Sequence, residues 1–227
     1  SHSTRCEITE TFSASRLRSI QKQLLPEYSF PELNGVKDIS LVHCRENDLR
    51  FFYPAIEGAE GFYRQLQQFD WYYTKEKKEF SIASSYIKTT DTVLEVGAGD
   101  GNFAGKINCA SYCGLELNKE AITAAAAKNI TLLFETVEQH AVSHAGTYDV
   151  VCAFQVLEHI SDIKSFVTQC IACLKPGGLL LFSVPSYESF YTLSSNQRLN
   201  LPPHHCSWWS DAALRSIATQ FNLQFTA

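Results

Sequence analysis

The stretch DTVLEVGAGDGNF, Asp91 to Phe103, sets an apolar run against a cluster of glycines. Val93, Leu94 and Val96 read as a buried strand, Gly97-x-Gly99-x-Gly101 as a tight turn, and the residues from about Asn102 as the start of a helix. Glycine has no Cβ, so it turns with positive φ and lets a ligand approach the backbone, while a helix start offers unpaired N–H groups. Strand, glycine turn and helix together predict a turn that receives a nucleotide-like ligand.

The dinucleotide fingerprint is G-x-G-x-x-G with a pyrophosphate on the helix N-terminus. Here the spacing is G-x-G-x-G, with Glu95 just before the first glycine and Asp100 inside the loop. Two carboxylates suit a cation better than a pyrophosphate, and a ligand joining adenosine to an amino-acid group and a positive sulfonium fits that charge pattern. At this point the chain resembles the class I S-adenosylmethionine (SAM)-dependent methyltransferases, through VLEVGAGDG and through further segments downstream.

Those segments follow in order. From Asp91 the pattern alternates strands (Thr92–Val96, Tyr112–Leu117, Ile130–Phe134, Tyr148–Phe154, Leu179–Val184) with helices (Lys119–Lys128, Val137–Val142, Asp162–Leu174), which predicts an α/β, doubly wound, mainly parallel Rossmann-like sheet. Ser161 is the expected N-cap of the Asp162 helix, and Pro176-Gly177-Gly178 its stop. Ligands in such sheets bind beyond the carboxyl ends of the strands. Strand one offers Glu95, Gly97, Ala98, Gly99 and Gly101. Strand two ends in Glu116 and Leu117, where a carboxylate can accept from both ribose hydroxyls. Strand three is followed by Glu135, Thr136 and Val137, where the resemblance implies adenine contacts. Strand four ends in Phe154-Gln155-Val156-Leu157-Glu158-His159, resembling the family's VLEH segment at the methionine end of SAM; Gln155 is the expected contact there, with Phe154 beside it. The segment LKPGGLLLFSVP matches the family's entry to strand five. The finer likeness is to bacterial methyltransferases of small-molecule or saccharide metabolism.

The first ninety residues predict a helix and hairpin appendage, with domains at 1–88 and 89–227. A helix is expected from Glu10 to Leu25, a hairpin from ISLVHC and LRFFY, and helices over Ala59–Phe69 and Lys75–Ile87. In Trp71-Tyr72-Tyr73 core packing is the ordinary role, but Tyr73 precedes the nucleotide domain with a polar tip and is a candidate cofactor contact. Pro185 to Trp209 is too long for an ordinary connection and reads as a lid or substrate loop. Within it His204 and His205, after Pro202 and Pro203, are candidate catalytic bases for a hydroxyl acceptor, loop packing being the alternative. Ser210 caps a further helix, and Leu223–Phe225 begins a sixth strand. The family usually adds an antiparallel seventh, so the sequence reads as a truncated chain.

Composition narrows the partners. The net charge of -5 argues against a broad nucleic-acid footprint, and no apolar run is long enough for a membrane span, so a cytoplasmic protein is expected. The 8 cysteines read mainly as small hydrophobes; Cys170-x-x-Cys173 lacks a second pair, His43 and Cys44 lack partners at zinc spacing, and no metal is required. Two alternatives remain open at this stage: a non-catalytic SAM-fold module, and an NAD-dependent oxidoreductase, which the glycine spacing disfavours.

Overall fold

A computed structural model describes residues 5–69, 72, 77–189 and 197–226. In chain order the elements are β1 (Cys6–Ser13), α1 (Ala14–Gln21), β2 (Asp38–Cys44), β3 (Arg50–Tyr53), α2 (Glu60–Leu66), α3 (Lys78–Ser84), β4 (Thr92–Val96), β5 (Ser111–Leu115), α4 (Lys119–Ala126), β6 (Leu132–Leu133), α5 (Val137–His144), β7 (Tyr148–Phe154), α6 (Ile163–Cys173), β8 (Leu174–Ser183), β9 (Ser207–Trp208) and α7 (Asp211–Gln220). They form two compact units. One comprises residues 1–65, 158–161 and 184–227, the other 66–157 and 162–183.

The second unit holds a parallel sheet in the order β6-β5-β4-β7-β8. The chain runs outward from β4 to β6 and then returns to add β7 on the other side, so the switch point lies between β4 and β7. The carboxyl ends of these two central strands carry the glycine turn and Gln155. Both are mainly apolar, with Glu95 in β4 and Asp149 in β7 the acidic exceptions, as expected of strands covered on both faces of a parallel sheet. Val93 and Leu94 are fully buried, as is Cys152. Below the glycine turn Phe80 of α3, Phe103 and Phe154 pack as an aromatic trio, with ring centroids 4.7–5.3 Å apart.

Gly114 in β5 is required by packing. A Cβ there would lie 2.4 Å from Leu132 Cδ2, 2.8 Å from the Tyr112 hydroxyl and 3.0 Å from Ala98 Cβ. Gly114→Ala is therefore expected to destabilise the fold by about 1–3 kcal/mol, the usual cost of overpacking. Urea denaturation at equilibrium checks this, and an unchanged midpoint would contradict it.

In the first unit an antiparallel sheet runs β1-β2-β3-β9. The hairpin is as the sequence predicts, with Val42 opposite Phe51 and Leu41 opposite Phe52. The compact units do not follow the 1–88 and 89–227 division, because β9 pairs with β3, Arg50 opposite Trp208 and Phe51 opposite Ser207. Buried Phe30, Phe52, Phe62 and Trp209 supply much of this unit's core.

Several element boundaries differ from expectation. Residues 6–13 are a strand, since Ser13 caps the helix by accepting from Arg16 N at 3.2 Å, and α1 ends at Gln21 before Pro26 is reached. After the glycine turn there is only a single helical turn, Ala104–Lys106, in a stretch interrupted by Gly101 and Gly105. Asp162 rather than Ser161 caps α6, accepting from Ser165 N at 3.0 Å. Pro176-Gly177-Gly178 does not stop before the strand but belongs to β8, with Gly177 at φ +79. Leu223–Phe225 carries no strand, and Phe225 sits under the Arg215 guanidinium. Part of the expected lid, residues 190–196, lies outside the described residues, as do Trp71 and Tyr73. Among the described residues no helix is long and apolar enough to cross a membrane.

Candidate functional site

The site begins where β4 ends. Gly97, Gly99 and Gly101 all adopt positive φ, at 72°, 56° and 77°. The amides of Gly97 and Ala98 both donate to Leu115 O, at 2.9 and 3.0 Å, which holds the turn against the end of β5. A Cβ on Gly97 would lie 2.6 Å from Val156 Cγ2. Ala98 turns its methyl into a cluster with Ala125 and Leu132, so only its backbone can face a ligand.

Charge at the turn is managed by three partners. Asp100 pairs with Lys128, whose Nζ lies 2.6 Å from Oδ2 and also donates to Asp100 O and Asn102 Oδ1. Glu95 is buried at 2% exposure and accepts from the Tyr112 hydroxyl at 2.5 Å. Burial drives its pKa up to about 8; Tyr112 and Lys77 oppose the rise, and Glu116 and Asp100 add to it. The loop is thus less anionic at neutral pH than two bare carboxylates would make it, since one is ion-paired and the other holds a proton.

Glu116, at the end of β5, closes the turn from the side. Its Oε2 accepts from Gly99 N at 2.7 Å, and its Oε1 accepts from Leu117 N and Asn118 N at 2.8 and 2.9 Å. Burial raises its pKa while these three N–H groups lower it. Each carboxylate oxygen has two lone pairs and three of the four are engaged, so the carboxylate retains one acceptor site, on Oε2, for a ligand hydroxyl. Leu117 next to it is 52% exposed, an apolar side chain left uncovered beside the turn.

The remaining expected contacts differ in what they can offer. Thr136 caps α5 in a capping box with Gln139, so its hydroxyl is engaged, and Val137 is buried. The Phe154 ring is inside the aromatic trio, which leaves its backbone to a ligand. Gln155 sits at φ 58, a left-handed conformation that costs a non-glycine residue about 1–2 kcal/mol, and such strain is concentrated at binding sites. Its N–H donates to Ser183 O at 2.9 Å and its Nε2 to Ser183 Oγ at 3.4 Å.

His204 and His205 lie in the first unit, each 6% exposed, beside His159. Their rings stack at 4.6 Å, and the His159 ring is 4.5 Å from the first and 5.0 Å from the second. Burial, reinforced by His159, lowers the His204 pKa to about 3; burial, then His204 and His159, takes His205 well below its ordinary value. Both rings are therefore held less basic than an ordinary exposed histidine.

A family model described as "Methyltransferase domain" matches residues 64–227. The chain belongs to the methyltransferase domain family. One curated relative of this methyltransferase-family chain is the ubiquinone biosynthesis O-methyltransferase of Vibrio parahaemolyticus, 38% identical over 99 residues, covering 40% of this chain and 42% of the relative. The match therefore spans about two fifths of that relative's length. Among solved structures, a SAM-dependent methyltransferase from Archaeoglobus fulgidus superposes with TM-score 0.59 at 18% identity, over 70% of this chain and 73% of the other. The plantazolicin methyltransferase BpumL, solved with S-adenosylhomocysteine (SAH), gives 0.52 at 17% identity, over 63% and 62%. At these identities the structural likeness establishes the Rossmann-like fold.

Two residues beside the glycine turn, and one in the first unit's histidine cluster, escape the sequence reading. Tyr112 reaches Glu95 because Gly114, which pairs with Glu95 in register, leaves the space its hydroxyl occupies. Alternation along β5 places Tyr112 and Gly114 on one face, a signal available once the pairing is known. Lys128 meets Asp100 across 28 residues, with no local signature. His159, which the sequence shows only as part of the VLEH-like segment, packs its ring against His204 and His205.

Proposed function

We propose that this chain is a SAM-dependent methyltransferase acting on an oxygen of a small molecule, with SAH as the product left behind. The carrying observation is the turn itself: three glycines at positive φ, with Glu116 clamping the Gly99 amide. The residues present fit the cofactor, since side chains are excluded at the turn, a carboxylate stands at its flank and Leu117 is uncovered beside it. Gly97, Ala98, Gly99 and Gly101 would supply backbone contacts, Glu95 would face the amino-acid group and Glu116 the ribose hydroxyls. Leu117, Thr136 and Val137 would border the adenine; Gln155 and Phe154, through its backbone, would border the methionine end. Bound there, SAM supplies a methyl group on a cationic sulfur to an in-line oxygen nucleophile, a reaction that depends chiefly on positioning.

The sugar or saccharide acceptor is the finer reading, and an acceptor of the ubiquinone-biosynthesis kind is its counterpart given the curated relatives' names. Cytoplasmic action is proposed on the same footing. Calorimetric titration with SAH tests the cofactor assignment: binding in the native chain and its loss in Gly99→Arg are expected. Absence of binding, or full binding in the variant, would refute it, and saturable binding of NADH instead would favour an oxidoreductase. Methyl transfer from labelled SAM to a panel of phenols and sugar hydroxyls then sorts the acceptor class. SAH binding without turnover on any acceptor supports a binding module.

A further inference from the structure

We propose that His159, His204 and His205 form a three-histidine site for a transition-metal dication, with zinc the best fit. Among the described residues this is the group in which one ring nitrogen from each of three histidines lies within 4.8 Å of the others. The inference goes beyond methyl transfer and stands or falls independently of SAH binding.

Two of the three rings are already oriented as ligands. The carbonyl of Leu199 lies 2.9 Å from His204 Nδ1, and the carbonyl of His204 lies 2.5 Å from His159 Nδ1. A carbonyl only accepts, so each Nδ1 carries the hydrogen, and in each neutral ring Nε2 then bears the lone pair. A backbone carbonyl on one imidazole nitrogen fixing the other for a metal is the usual outer-shell arrangement of histidine metal sites. The Tyr63 hydroxyl, 3.3 Å from His159 Nδ1, adds a further restraint on that ring. His205 stacks on His204 at an interplanar angle of 21°, so the two planes lie nearly parallel.

The backbone holds the two segments together. The Cys206 amide donates to Glu158 O at 2.7 Å, while His204 N and His205 N both donate to Leu201 O, at 3.1 and 3.3 Å. Tetrahedral Zn–N bonds imply an edge of about 3.3 Å, so the nitrogens close up from their present spacing when the ion binds. Glu158 Oε1, 3.9 Å from His159 Nε2, offers an oxygen for a fourth position. His205 and Glu158 also line a cleft with Asn200 and Trp208. Three imidazoles and one carboxylate oxygen suit zinc, cobalt or nickel rather than magnesium.

The test uses the whole chain after dialysis against a chelator, titrated with Co2+ and then Zn2+. Stoichiometric appearance of the visible bands of tetrahedral Co2+, and their loss on adding Zn2+, are expected. His159→Gln and His205→Gln should each lose the bands while far-ultraviolet circular dichroism remains native. No bands in the native chain, or bands retained in both variants, would overturn the site. Should either variant fail to fold, X-ray absorption of the Zn2+-loaded native chain decides. Three imidazole scatterers at about 2.0 Å support the site, and fewer than three refute it.

Discussion

Replacing Glu116 by alanine is expected to weaken SAH binding by at least about 100-fold while leaving a folded protein. The carboxylate accepts from three backbone amides, of which Gly99 belongs to the turn and Leu117 and Asn118 to the segment entering α4. Removing it frees the turn from β5 and takes away the acceptor for a proposed ribose hydroxyl. Hydrogen bonds to a charged group contribute about 1.5–3 kcal/mol each, and about 1.4 kcal/mol is tenfold in affinity, so losing two such bonds reaches the stated factor. The cost to stability is smaller, about 1–2 kcal/mol, because Leu117 is exposed and its amide can turn to water. Glu116→Gln keeps an oxygen for Leu117 and Asn118 but sets an amide NH2 against the Gly99 amide, and an intermediate loss is expected. Calorimetry with SAH on the three proteins checks the series. Affinity within about threefold of the native chain in Glu116→Ala would remove the residue from the binding site.

The β4 and β7 positions are legible in the sequence because each strand is mainly apolar, and Gly97 marks the end of β4; the structure adds that Gln155 leaves β space at the end of β7. Alternation of strand and helix likewise carries the parallel order. What the sequence hides is pairing over distance. The two-residue strand at Ser207–Trp208 has no periodicity to read, yet it ties residues after 184 to the N-terminal sheet. Residues 6–13 mix β-branched and acidic side chains, and the helical spacing of Leu17, Ile20 and Leu24 draws the predicted helix past its true start at Ser13.

The candidate site follows the same division. Glycine positions and Glu116 are fixed by local chain order, so they were readable. Environment is not: His204 and His205 look like bases on a proline-stiffened loop, and only burial beside His159 shows how far their basicity is suppressed. Asp100 and Glu95 look like an anionic pair, and only tertiary structure brings Lys128 to the one and an apolar enclosure to the other.

That enclosure makes Glu95 a source of pH-dependent stability, and Glu95→Gln is expected to remove it. The carboxyl ionises near the ordinary value, 4.5, when unfolded and at about 8 when folded. Below about pH 4.5 it is protonated in both states and contributes no difference. Between the two values the folded state holds a proton that the unfolded state has released, so stability falls as pH rises, and the fall ends once the folded carboxyl ionises. A separation of this size corresponds to roughly 5 kcal/mol over the whole window at 1.36 kcal/mol per pKa unit. Glutamine keeps an acceptor oxygen for the Tyr112 hydroxyl and cannot ionise, so its unfolding free energy should match the native chain near pH 4.5 and exceed it increasingly toward about pH 8. Urea midpoints across that range measure the gap, and parallel curves for the two proteins would refute the assignment. The same carboxyl links protons to the proposed cofactor. A ligand that places a cationic amino group against Glu95 favours its ionised form, so binding at neutral pH should expel a proton from the native chain and none from the variant. Calorimetry in buffers of different ionisation enthalpy reads that release directly, and an equal proton yield from both proteins would place the cation elsewhere.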